Sequence, residues 1–197
     1  MNILWDFDGT LFDTYPAYAN IFREELDGTA SLEEITPLLK VSFTHAAGHY
    51  RLSGEQIKSI FARERALAPS ETPPFPHVEK VLQFAEINVI MTHKPRKEVL
   101  GILNDYGWNR YFAEIVADGD GFPRKPDPSA YLYLHQKYRL DLVIGDREID
   151  MVPAKILGIR TCLFQNAAPG ADFYLSGYED FFAVFKSTPH FNGNWSE

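Results

Sequence analysis

Five short apolar runs, at residues 3–7, 87–92, 114–117, 142–145 and 160–164, constrain what this chain can fold into more than any other feature. Each is continuous rather than alternating, the pattern of a strand covered on both faces. Helical patterns fill the gaps at residues 78–85, 95–106, 128–138 and 149–157, with Pro95 suited to a first helical turn and Gly158 to a stop. Strand alternating with helix predicts an α/β fold, a Rossmann-like doubly wound parallel sheet with helices on both faces.

The first two runs break the rhythm. About eighty residues separate them, far more than one crossover needs. A helix is predicted at residues 15–26, and Ser31-Leu32-Glu33-Glu34 and Ser53-Gly54-Glu55-Gln56 fit capping boxes that open two more. Pro69, Pro73, Pro74 and Pro76 then make a stiff, extended connector. The pattern predicts an inserted all-helical cap at residues 14–75, with the α/β core in residues 1–13 and 76–197. A lid at that point of the chain is expected over the strand ends, where ligands bind in open α/β sheets.

Bulk properties narrow the function. With 45% apolar and 23% charged residues, the 197-residue chain has the composition of a globular protein with a real core. A net charge of −8 argues against broad electrostatic binding to nucleic acid or an anionic membrane. No apolar stretch is long enough to span a bilayer, and no basic region followed by an apolar core opens the chain. Cys162, the lone cysteine, excludes an intramolecular disulfide and a cysteine-rich zinc site. The expected compartment is the cytoplasm, and the expected state a monomer or homodimer.

The chemistry-bearing residues fall at strand ends. Asp6 and Asp8 close the first run two residues apart, so an extended chain carries both carboxylates on one side. Gly9 permits a sharp turn and close approach of a ligand, and Thr10 adds a hydroxyl. Met91-Thr92-His93-Lys94 closes the second run, Arg124-Lys125-Pro126-Asp127-Pro128 precedes a helix, and Gly145-Asp146-Arg147-Glu148-Ile149-Asp150 closes the fourth run. Parallel strands share one C-terminal edge, where these pieces can converge. Paired carboxylates there suit one metal ion, one nucleophile and one acid/base.

In the residues Asp6-Phe7-Asp8-Gly9-Thr10, Thr92, Lys125 and Gly145-Asp146 with Asp150, and in the helical insertion, the chain resembles the haloacid dehalogenase superfamily, subclass I. Its phosphoglycolate-phosphatase-like members are the nearest in look. The resemblance implies that Asp6 is the nucleophile on phosphorus and that Asp8 protonates the leaving alcohol and later activates water. For the first of these steps Asp8 is expected to keep its proton beside another carboxylate. The resemblance further implies Mg²⁺ held by the Asp6 side chain, the Asp8 backbone carbonyl and Asp146, with Thr92 and Lys125 holding the transferring phosphoryl group. Gly9, Thr10 and the backbone N–H of His93 are the further phosphate contacts expected.

Asp150 is open between orienting metal-bound water or Lys125 and serving as a helix N-terminal carboxylate. His93 stands where many relatives have Asn, and Arg147 where many have a small hydroxyl residue. In the insertion, His45, His49, Tyr50 and Arg51 cluster between two predicted helical segments. Either His45 and Arg51 select an anionic substrate or the cluster is a polar turn. His77 is expected to be structural, and no function is assigned to the tail at residues 186–197.

The expected activity is Mg²⁺-dependent hydrolysis of a small phosphorylated metabolite, phosphoglycolate or a sugar phosphate, through an aspartyl-phosphate. A sugar phosphomutase of the same superfamily is the alternative enzyme, and Thr10 resembles the phosphatases. Dehalogenation is disfavoured, because those relatives lack the second catalytic Asp. A non-catalytic phospho-ligand or receiver-like module is the alternative from another class, but a receiver's acceptor follows a middle strand and lacks the helical insertion.

Overall fold

The computed structural model describes residues 1–186 of the chain. Six strands among the described residues form one sheet: β1 (Asn2–Trp5), β2 (Ile87–Pro95), β3 (Phe112–Asp118), β4 (Leu142–Gly145), β5 (Arg160–Phe164) and β6 (Phe173–Leu175). Their order is β3-β2-β1-β4-β5-β6, and every pairing is parallel. Helices α1 (Tyr15–Glu25), α2 (Leu32–Val41), α3 (Phe43–His49) and α4 (Gly54–Glu64) fall between β1 and β2, and α5 (Val78–Phe84) leads into β2. Helices α6 (Arg96–Asp105), α7 (Ser129–Tyr138), α8 (Glu148–Ile156) and α9 (Phe181–Lys186) follow in turn.

The predicted parallel sheet is present, and its apolar runs are continuous for a physical reason. Leu4, Val89, Val116, Val143 and Leu163, one from each of the first five strands, pack with Ala130, Tyr131 and Leu134 of α7 and Met151 and Ala154 of α8. Each such side chain contributes about 1.5–3 kcal/mol when fully buried. Residues one step along a strand turn to the other face. There Trp5 meets Tyr178 with ring centroids 5.8 Å apart, and Phe164 stacks on Tyr178 at 4.3 Å. The Trp5 indole N–H donates to Asn88 Oδ1 at 2.8 Å, so this buried pair of polar groups is satisfied.

Strand ends differ from the sequence expectation where the site begins. β1 stops at Trp5, two residues short of the predicted end. Asp6 N–H still donates to the Ile144 carbonyl at 2.9 Å, and the chain then turns, with Leu11 N–H closing on the Phe7 carbonyl at 3.0 Å. Gly9 makes that turn at φ 76°, the left-handed region open to glycine. Asp6 and Asp8 therefore leave the strand rather than stand in it. β2 runs on to Pro95 with a register shift against β3 between Met91 and Pro95, which places Thr92, His93 and Lys94 on an irregular strand end. β6 carries no periodic signal in the sequence, being three residues long. Its approach is fixed by Asp172, whose Oδ2 accepts from Thr161 N–H at 2.8 Å and Thr161 Oγ at 2.7 Å.

Two units divide the chain: Met1–Leu11 with the residues from Pro74 onward, and Phe12–Pro73. The second is helical, built around Tyr15, Ala19, Phe22, Ile35, Leu39, Ala46 and Ile60. Both predicted capping boxes are formed there, Ser31 with Glu34 and Ser53 with Gln56. The cluster of His45, His49, Tyr50 and Arg51 is not a loop between helices, as the sequence suggested. His45 and His49 lie on α3, which Ser42 starts by accepting from His45 N–H at 2.9 Å, and Tyr50 caps its end. Arg51 follows with φ 52°. Of the tail, Lys186 closes α9, and residues 187–197 lie outside the described residues.

Candidate active site

The C-terminal ends of β1 and β4 bring Asp6 and Asp146 together across their shared ladder, where Trp5 pairs with Ile144. Carboxylate oxygens of Asp6, Asp146 and Asp150 all lie within 4.8 Å of one another, and all three residues are buried. Packing three acids this closely is unfavourable without positive charge. Lys125 supplies it. Its fully buried ammonium donates to Asp6 Oδ1 at 2.5 Å and to Asp150 Oδ1 at 2.7 Å.

Asp150 uses both of its carboxylate oxygens in this arrangement. One oxygen accepts from Lys125, and the other accepts from Arg147 N–H at 3.1 Å, capping α8. Two of the roles left open for it, Lys125 partner and helix-start carboxylate, each correspond to one of its contacts. Gly145 makes room for it: a Cβ there would stand 2.5 Å from Asp150 Cβ. Asp146 is held through its backbone, whose carbonyl accepts from Asn166 Nδ2 at 2.7 Å. The Arg147 guanidinium lies 3.7 Å from its carboxylate.

Asp8 stands beside a lysine, a neighbour that the sequence reading did not give it. Its oxygens face the Lys94 ammonium at 3.1 and 3.4 Å. Lys94 also donates its backbone N–H to Thr92 Oγ at 3.1 Å, which leaves the buried Thr92 hydroxyl proton available to a ligand. Thr10 is buried, its carbonyl accepting from the Tyr178 hydroxyl at 2.9 Å, and its own hydroxyl has no partner among the described residues. His93 turns its side chain to Lys125, Nε2 accepting from the Lys125 backbone N–H at 2.8 Å.

Electrostatics follow from burial and charge. Burial pushes the Asp6 carboxyl up to about 6, with Lys125 pulling against it. Burial opposes the charge on Lys125, but Asp150 and Asp6 outweigh it and hold its pKa above the ordinary value. Burial, then Lys125, Arg124 and Arg147, push His93 down to about 3. Burial alone pushes up the Cys162 thiol, which fits an inert core cysteine.

The donor set fits a divalent cation of the oxygen-loving kind. Three buried carboxylates lie within 4.8 Å of one another around one ammonium, and the negative charge left over is what a cation would offset. Asp6, Asp146 and Asp150 are the carboxylates that could hold such an ion, and Asp150 also accepts from Lys125 and Arg147. The structure thus brings together Asp6, Lys125, Asp146 and Asp150, and joins Asp8 and Thr92 through Lys94. His45 and Arg51 belong to the helical unit. Sequence reasoning gave no role to Lys94, Asn166 or Tyr178. Asn166 and Tyr178 carry no signal, since each acts through a backbone carbonyl far away in sequence.

The model of the haloacid dehalogenase-like hydrolase family matches residues 3–164. The chain belongs to that family. It is 25% identical to Phosphoglycolate phosphatase 1 of Pseudomonas aeruginosa over 80% of this chain and 66% of that protein. It is 27% identical to the Phosphoglycolate phosphatase of Vibrio cholerae over 79% of this chain and 80% of that protein. A hydrolase of Streptococcus pneumoniae superposes with a TM-score of 0.64 at 30% identity, covering 84% of this chain and 92% of that one. Two of these relatives are named phosphatases, and the family is one of hydrolases. No helix among the described residues is long and apolar enough to cross a membrane.

Proposed function

We propose that this hydrolase is a phosphatase that cleaves a small phosphate monoester, phosphoglycolate or a sugar phosphate, through an aspartyl-phosphate on Asp6. The observation that carries the proposal is the buried Lys125 ammonium on Asp6 Oδ1, which leaves Oδ2 of the same carboxylate without a partner. That oxygen is the nucleophile. It forms the bond to phosphorus as the bond to the ester oxygen breaks, and Asp8 gives the leaving alkoxide its proton. Asp8 then takes a proton from water, which attacks phosphorus, releases inorganic phosphate and restores Asp6. Lys94 offsets the charge of Asp8 in its anionic form. Lys125, the Thr92 hydroxyl and the backbone N–H groups at Gly9, Thr10 and His93 hold the transferring oxygens.

Mg²⁺ is the cation we propose, held by the Asp6 and Asp146 side chains and the Asp8 carbonyl. When bound it supplies positive charge that screens the phosphate oxygens from the nucleophile. The helical unit is the part of the chain we propose to set substrate choice, with His45 and Arg51 as its candidate donors for an anionic substrate. The proposed compartment is the cytoplasm, in keeping with a lone buried thiol.

The test is phosphate release from a panel of phosphorylated metabolites, with and without Mg²⁺. Turnover of phosphoglycolate or a sugar phosphate is expected, lost with a chelator and restored by excess Mg²⁺. Undiminished turnover under chelation contradicts the metal assignment. Interconversion of sugar phosphates without phosphate release favours a phosphomutase, and no turnover of any compound favours a binding module.

A further inference from the structure

Building on the phosphatase reading, we infer that His93 is a positioning residue, its imidazole fixing the backbone at Lys125 from the end of β2. Lys125 lies between β3 and α7, outside any strand or helix, and its turn is closed by a backbone bond from Asp127 N–H to the Arg124 carbonyl at 3.1 Å. Yet its ammonium must meet two buried carboxylates at 2.5 and 2.7 Å. A loop side chain held that closely needs its backbone anchored. His93 supplies the anchor across 32 residues of sequence, through Nε2 to the Lys125 N–H at 2.8 Å.

The contact also fixes the imidazole. A nitrogen that accepts carries no proton, so the ring proton resides on Nδ1. The groups facing the ring keep it that way. Arg124 and Lys125 face it from the loop before α7, and Arg147 from the start of α8, with Asp150 opposing them. Protonation would add a cation among three and break the bond to Lys125. His93 is therefore an acceptor throughout the range in which an ordinary histidine changes charge.

Lys125 serves the transferring phosphoryl group by its place as well as its charge. Loosening its backbone is a misplacement, which lowers the rate of the chemical step more than substrate binding. His93→Leu removes the acceptor. It is expected to lower kcat about ten- to a hundredfold with KM nearly unchanged. His93→Gln returns an acceptor oxygen at similar reach and is expected to recover most of the loss. Equal kcat in the two variants, whether high or low, overturns the inference.

Nitrogen NMR of the imidazole in the unaltered full chain decides independently of activity. The expected spectrum has Nε2 bare and Nδ1 protonated, unchanged down to about pH 5. A protonated Nε2, or titration near the ordinary value of about 6.5, overturns the inference even if His93→Leu does not fold. If the unaltered protein turns over no phosphate ester while the spectrum is as expected, the phosphatase reading fails and the His93–Lys125 contact stands. Acid stability has a definite sign. The unfolded chain takes up a proton on this histidine below about 6.5, and the folded chain only near 3. The contribution is whole above that window and is lost as pH falls through it. Unfolding in acid is thus steeper for the unaltered chain than for His93→Gln.

Discussion

Asp6→Asn is expected to leave the protein folded and to cut phosphate release by at least about 10⁴-fold. The amide keeps the carboxylate's shape and an oxygen that can accept from Lys125. It lacks the second anionic oxygen, the one buried without a partner among the described residues. If Asp6 merely oriented water, Asn would do part of that work and the loss would be modest. If it forms the bond to phosphorus, nothing else in the cluster replaces it. Asp150 is committed to Lys125 and Arg147, and Asp8 is held against Lys94. The check is steady-state kcat with saturating Mg²⁺, alongside the urea midpoint of both proteins. A fall of only a few-fold with the fold intact contradicts the assigned role.

Lys125→Met is expected to cost both activity and stability. Removing the charge at the transferring group lowers kcat by about 10²–10³-fold. Removing one partner of a buried ionic cluster costs about 3–5 kcal/mol, since Asp6 and Asp150 remain buried beside each other without their cation. The double variant Lys125→Met with Asp150→Asn separates the two effects. Neutralising Asp150 removes one of the two stranded charges and their mutual repulsion, so stability returns in part while kcat stays low. Urea unfolding of the three proteins measures this. A single variant as stable as the unaltered chain would mean that the ammonium is not what reconciles these acids.

Much of the fold was legible because burial on both faces leaves a strong signal. The fourth and fifth apolar runs, residues 142–145 and 160–164, coincide with β4 and β5. Capping boxes were legible because they depend on two residues three apart. Strand ends were not, since the ladder at Asp6 is continued by a single bond to Ile144. α3 escaped because its sequence mixes His, Gly and Ala without a clear stripe, and its start depends on Ser42. β6 is simply too short.

The site divides along the same line. Motif residues could be named from spacing and resemblance, but their partnerships could not, because these are made across the sheet edge. That Asp150 serves Lys125 and its own helix together, that Lys94 faces Asp8, and that His93 accepts from the backbone of Lys125 are tertiary facts. Asp6 is the acid that gathers with Asp146 and Asp150, and a lysine two residues beyond Thr92 reaches Asp8.

The most direct measurement is to stop turnover with acid and find where the phosphoryl group sits. Borohydride reduction of the quenched protein, digestion and mass spectrometry would mark a phosphorylated aspartate by its conversion to homoserine. The mark is expected at residue 6 and at no other acid. A mark on Asp8, Asp146 or Asp150, or rapid phosphate release with no mark anywhere, would contradict the central claim that Asp6 takes the phosphoryl group.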